Sequence, residues 1–142
     1  MFDAAIFTVS VDNNGRFKVP SNLRDCMKGR LVLLRCPYSS TCIYGYNEAQ
    51  WDKFWDSVNE KVPNSEEGDR QKRKILSTAI IGDVDKSDRF TIKSEAREYL
   101  NMENSLCIVK GDKHFELWSP EAWQEEQERF SDTSLANLGI AF

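Results

Sequence analysis

At 142 residues the chain has the length of one domain, enough to bury a core of its own or to hold two small halves that share one. Its 40% hydrophobic, 11% aromatic and 30% charged residues are those of an ordinary folded protein, and a net charge of −4 with a pI near 5.1 argues, taken as a sum, against a nucleic-acid partner. No apolar run approaches the length of a membrane span, and MFDAAIF lacks the basic start and long apolar stretch of a secretory signal, which predicts a cytoplasmic protein with no membrane partner.

In chain order, Phe7, Val9 and Val11 alternate with polar residues and predict a strand. Asn13, Asn14 and Gly15 follow, and Asn14-Gly15 predicts a type I′ hairpin turn. Arg16 opens the return strand, in which Phe17 and Val19 alternate with Lys18, and Pro20 with Ser21 ends it and starts a short helix. Two strand-like runs, RLVLLRC and CIYGY, are joined by PYSS, and Asn47 with Gln50 three residues later forms a capping-box pattern. Beyond that cap Trp51, Phe54, Trp55 and Val58 fall at i, i+3, i+4 and i+7, an apolar helical stripe that predicts core. The stretch KVPNSEEGDRQKRKILSTAI begins as a connector and turns helical towards Ile75, Leu76 and Ala79; Arg70, Lys72, Arg73 and Lys74 read as a solvated face, with DNA contact as the alternative. The tail SDTSLANLGIAF has no strong periodicity, although Leu138, Ile140 and Phe142 offer apolar groups to a neighbour.

A shift of 73 places VDNNGRFKVPSNLR on VDKSDRFTIKSEAR, residues 84–97, with six of fourteen pairs identical. Composition alone predicts roughly one such match, so the chain is an internal duplication. The second copy continues with SLCIVKG and HFELW, joined by GDKH, and enters a helix at Ser119-Pro120. Trp51 and Trp123 match with a shift of 72.

Charge is unevenly spread. Between Arg16 and Arg35 six basic residues face one acid, whereas between Asp112 and Asp132 seven acids face two basic residues. An aspartate ahead of each turn can accept hydrogen bonds from turn N–H groups and pair with the arginine beyond it, which makes Asp12, Gly15 and Asp85 hairpin-structuring residues. The planar fork of Arg16 suits phosphate and guanine equally, and Lys18, Arg24 and Arg30 add to the positive field.

No Ser/His/Asp arrangement, phosphate-cradling glycine loop or metal cluster is visible, so no catalytic residue, metal, cofactor or small-molecule substrate is expected and the chain is not read as an enzyme. Cys26, Cys36, Cys42 and Cys107 lack C-x-x-C spacing and read as unligated thiols, although Cys36 and Cys42 could face each other across a hairpin. His114, the single histidine, sits in a predicted turn and reads as an exposed polar residue.

Met1-Phe2, the D-x-x-x-R turn at Asp12–Arg16 running on to Pro20 and Leu23-Arg24, its second copy at Asp85–Arg89, and the aromatic helix entries from Tyr46 to Trp51 and from Trp118 to Trp123 together resemble the MraZ family of bacterial transcriptional regulators. The resemblance implies an α+β fold of two tandem AbrB-like swapped-hairpin halves related by pseudo-twofold symmetry, a double-split β-barrel, with SpoVT-AbrB-like domains at 5–51 and 78–123. It implies a DNA-binding regulator of the division and cell-wall gene cluster, cytoplasmic and nucleoid-associated. It further implies a ring-shaped homo-oligomer bound to direct repeats in double-stranded promoter DNA of its own operon. On that resemblance the DNA-contacting arginine of the motif falls on Arg16 and on Arg89, with Lys18 and Arg24 beside it. This sequence departs from the family at Asn14, where lysine is usual, at Asp88, where glycine is usual, and at Lys93, which replaces the proline matched by Pro20. An acid beside Arg89 weakens the field there, so the second hairpin is expected to serve packing more than DNA. The alternative is an AbrB-like scaffold or antitoxin-type module that binds proteins without specific promoter binding.

Overall fold

The computed structural model describes residues 5–38, 40–130 and 134–142. Met1 and Phe2, and the first three residues of the tail, lie outside the described residues. The first half holds β1 (Ile6–Ser10), β2 (Arg16–Lys18), a 3-10 turn at Ser21–Leu23, β3 (Arg30–Arg35), β4 (Ile43–Tyr46) and α1 (Glu48–Lys61). After α2 (Glu66–Ser77) the second half repeats the order with β5 (Ile80–Asp83), β6 (Arg89–Thr91), α3 (Ser94–Leu100), β7 (Ser105–Val109), β8 (Phe115–Trp118) and α4 (Pro120–Phe130); a 3-10 turn at Ala136–Leu138 follows.

The two halves are exchanged rather than stacked. Six strands form one antiparallel sheet in the order β1-β7-β8-β4-β3-β5, which reads the same from either end once each strand is replaced by its repeat mate. β1 therefore pairs with β7 of the other half, and β5 with β3. β2 does not return along β1. It pairs with β6, its own repeat mate, with Phe17 opposite Phe90. This gives the α+β, pseudo-twofold arrangement of swapped hairpins, although the six strands form an open sheet and no closed barrel is seen among the described residues. Matching hydrogen bonds lock both sides: the Val11 N–H donates to the Asn104 carbonyl and the Val84 N–H to the Gly29 carbonyl, each at 2.9 Å.

The core lies where the two halves meet. Phe17, Val19, Leu23 and Leu31 from the first half and Phe90, Ile92, Leu100 and Leu106 from the second form one buried cluster. The Phe17 and Phe90 rings meet edge to face, 6.0 Å between centroids and 70° between planes. Neither half keeps an apolar interior without the other.

Local chemistry explains most element ends. Asn47 and Gln50 complete both hydrogen bonds of the capping box at α1, and the Ala122 N–H donates to the Ser119 hydroxyl oxygen at the start of α4. α2 begins earlier than the connector composition suggests, because the Ser65 hydroxyl accepts from the Gly68 N–H and three acids occupy the first turn. In the first half the expected short helix is only a 3-10 turn, whereas its mate α3 runs seven residues to Asn101 in the left-handed region. Lys93 bonds through Nζ to the Ile81 carbonyl at 2.7 Å and so covers the free edge of β5, a cover that Pro20 does not provide for β1.

Three expectations need correction. The first turn is not type I′: Asn13 and Asn14 keep negative φ, the Gly15 N–H donates to the Asp12 carbonyl, and only Gly15 is left-handed at φ 84°. That is a type I turn followed by a left-handed residue, a conformation glycine adopts without steric cost. The Trp51 stripe is not central: Val58 is buried, but Trp51, Phe54 and Trp55 are half-buried in a satellite aromatic group around Tyr46. His114 is not an exposed turn residue. It is half-buried, stacked on Tyr44 at 3.9 Å, with Nε2 3.3 Å from Glu116.

Candidate nucleic-acid interface

The β2–β6 ribbon has one face in the core and one in water. Phe17 and Phe90 point inward, so Arg16 and Lys18 on β2 and Arg89 and Thr91 on β6 share the exposed face, the two-residue period of a strand fixing the alternation. Lys18 lies in register with Arg89 and Arg16 with Thr91. Arg16, Lys18 and Arg89 line one open concavity of about 350 Å³ together with Asp12.

Each arginine of this face is set by its turn. One carboxylate oxygen of Asp12 accepts from the N–H groups of Asn14 and Arg16, both at 2.9 Å, and the other lies 3.3 Å from Arg16 Nε. Asp85 repeats the backbone part, accepting from Ser87 at 2.8 Å and Arg89 at 2.9 Å. The Arg16 N–H is the main reason the Asp12 carboxyl is held below its ordinary range, and the Arg89 N–H does the same for Asp85. Both aspartates stay charged and the turns stay closed. Arg16 remains about half exposed beside its carboxylate, a pair that water screens and a phosphate can replace. Lys18 and Arg89 have no carboxylate within ion-pair distance among the described residues.

Arg24 is placed differently. Its Nε donates to the Val19 carbonyl at 3.2 Å and lies 3.4 Å from an Asp88 carboxylate oxygen, so it ties the first half to the second turn. Asp88 occupies the left-handed position, φ 60°, that glycine holds in the first turn. The repeat mate of Arg24 is Arg97, which sequence reasoning left unassigned although it is one of the six identities in the duplication. Arg97 packs against Gly15, where there is no side chain to answer it, and its Nε is buried without a partner.

The remaining concavities are of another kind. One of about 480 Å³ lies between α1 and the β7–β8 turn, with Gln50, Lys53, Phe54, Lys113 and His114 on its walls. The other, about 490 Å³, lies between α4 and the β3–β4 turn and holds Cys36, Cys42, Tyr44, Glu116 and Glu126. Cys36 follows Arg35 in register opposite Cys42, whose carbonyl accepts from the Cys36 N–H at 3.0 Å, yet all four cysteines are free thiols. Burial pushes the Cys107 thiol up to about 11 and Cys42 higher still, so both are poor nucleophiles. Among the described residues no group of three or more His, Cys, Asp or Glu side chains is placed to hold a metal, and no helix is long and apolar enough to cross a membrane.

With this geometry in hand, comparison with known proteins is decisive. The profile of the family described as "MraZ protein, putative antitoxin-like" matches twice, over residues 1–74 and 75–138. The chain belongs to the MraZ family. A protein of Xanthomonas oryzae pv. oryzae named transcriptional regulator MraZ is 31% identical over 136 residues, which span 91% of this chain and 90% of the relative. Proteins of the same name from Caldicellulosiruptor saccharolyticus and Marinobacter nauticus are 29% and 30% identical, covering 92% and 81% of the chain and 88% and 79% of the relatives. The two MraZ matches divide the chain inside α2, within the helix that joins the interlocked halves.

Proposed function

We propose that this chain is a sequence-specific DNA-binding transcriptional regulator that lays the outer face of its β2–β6 ribbon on promoter DNA. Arg16, Lys18 and Arg89 meet phosphates and base edges, while Asp12, Gly15 and Asp85 hold the turns that aim them. The observation that carries this reading is the convergence of three cations, drawn from both halves, on one exposed ribbon face around a single concavity. A two-stranded ribbon fits the major groove, and guanidinium groups suit both phosphate and guanine. The name shared by the relatives supports the same class of activity.

Three cations on an acidic chain hold DNA weakly. The proposal therefore includes assembly into a ring-shaped homo-oligomer that meets direct repeats in the promoter of its own operon, within the division and cell-wall gene cluster. Repeated subunits on repeated boxes raise the effective concentration of each further contact, so feeble grips add up to firm binding that salt weakens steeply.

Fluorescence anisotropy with a labelled duplex from the region upstream of the gene, against a scrambled duplex, tests this at two salt concentrations. Selective, salt-sensitive binding that Arg16→Ala removes without changing the assembly seen by light scattering is the expected result. A stable oligomer with no selective binding would favour the protein-binding scaffold instead.

A further inference from the structure

The two turns of the ribbon differ in one respect that the duplication does not predict. Arg24 and Arg97 are repeat mates, each on the segment following its own hairpin and each reaching back to the turn of the other half. Arg24 finds Asp88 there and forms an ion pair at 3.4 Å. Arg97 finds Gly15. A Cβ at Gly15 would stand 3.0 Å from Arg97 Nε and 3.2 Å from its Cζ, so the guanidinium packs against the first turn. Its side chain makes no hydrogen bond or ion pair among the described residues, and its Nε is covered without a partner while the terminal nitrogens keep contact with solvent.

An arginine with a buried, unanswered donor is a costly packing group. With its Nε and Cζ packed against Gly15, it keeps its outer nitrogens without a protein partner among the described residues, which lowers the ordering cost of gripping an anion. Its mate is answered by protein: the Asp88 carboxylate stands 3.4 Å from Arg24 Nε, which also donates to the Val19 carbonyl.

We infer that Arg97 is a further DNA-contacting residue, meeting a phosphate beside the first turn, and that Asp88 is a built-in counter-ion that withholds Arg24 from the same contact. This rests on the DNA-binding reading above and deepens it: the two halves of one subunit grip the duplex unequally, although Lys86 gives the second turn a cation of its own at its tip. The occupant is the phosphate backbone rather than a base, since Arg97 belongs to α3 and not to the ribbon strands.

Anisotropy titrations over a series of salt concentrations, with the upstream duplex as probe, distinguish the outcomes. Arg97→Gln keeps an aliphatic stem and an N–H donor group but shortens the side chain and removes the charge; affinity is expected to fall about fivefold and the slope of log K against log salt to lose about one unit. Asp88→Asn keeps a residue that accepts positive φ and frees Arg24; affinity is expected to rise about fivefold and the slope to steepen by about one unit. Circular dichroism and light scattering confirm that both variants fold and assemble. Should wild type bind and Arg16→Ala abolish binding while both of these variants match wild type in affinity and slope, the inference about Arg97 and Asp88 is overturned and the general reading stands. If wild type binds no DNA, the reading itself fails and takes this inference with it.

Discussion

Phe17 and Phe90 stand opposite one another in the β2–β6 ladder, and the line between them is the point about which one half of the molecule maps on the other. Both are almost wholly buried, 2% exposed each, so the ribbon that carries the candidate DNA face is also the lid of the shared core. Truncating Phe17 to alanine removes an aromatic contact and leaves a cavity at that centre. A loss of about 3–5 kcal/mol is expected, read as a single lowered unfolding transition in urea, because the halves cannot melt separately. Two resolved transitions would contradict the shared core.

Gly15 combines a left-handed backbone with close approach to the Ile92 carbonyl and the Arg97 guanidinium. Gly15→Ala is therefore expected to cost about 2 kcal/mol or more through strain and displacement of Ile92. Thermal melting checks the stability. The same variant should also bind DNA less well, because the turn that aims Arg16 is displaced.

Asp12, Asp85 and Glu116 all have folded pKa values below their ordinary ones of 3.8, 3.8 and 4.5. For the aspartates the leading cause is an arginine N–H, and for Glu116 it is the His114 ring. A carboxylate of this kind contributes its full stabilisation above the unfolded pKa and loses it as pH falls through the lower folded value. Melting temperature should thus decline from about pH 4.5 downward on their account, and Asp12→Asn with Asp85→Asn should flatten that acid branch. An unchanged acid profile in the double variant would show that the turns do not depend on ionised aspartates.

Trp51 packs on Tyr46, Phe54 and Trp55 at the periphery, not in the central cluster. Trp51→Ala is expected to cost about 1–2 kcal/mol, well short of the Phe17 change, and to leave the protein folded. Chemical denaturation of the two variants side by side tests the order.

Thiol titration compares position with reactivity. Cys36 and Cys26 are half-buried, whereas Cys42 and Cys107 are enclosed; burial raises the Cys26 thiol as well as the two enclosed ones. In native protein a disulfide reagent should label Cys36 and Cys26 first, and the other two only on unfolding.

The duplication is legible in the sequence because the turn imposes it. An acceptor carboxylate, a residue that tolerates positive φ and an arginine must recur at fixed spacing, and Asp12-Gly15-Arg16 and Asp85-Asp88-Arg89 meet that demand twice. Strand pairing is not legible, since the alternation of Phe7, Val9 and Val11 is satisfied equally by β2 or by β7 as neighbour. Helical periodicity likewise reports which side of α1 is apolar, but not that only Val58 among the four stripe residues is fully covered. The candidate face divides in the same way. Arg16, Lys18 and Arg89 follow from motif and alternation, whereas the contrast between Arg24 and Arg97 depends on which residue each meets across the swap.

The exchange of strands also sets an order of events at the ribosome. β1 leaves the exit tunnel long before β7 exists, and Phe17 waits exposed until Phe90 has been made. During that interval a nascent chain displays an unpaired strand and half an interior, complementary to the late half of any neighbouring copy on the same message. Polysomes therefore favour intermolecular exchange unless β5 to β8 follow quickly, and slowed translation near α2 should raise the yield of entangled dimers.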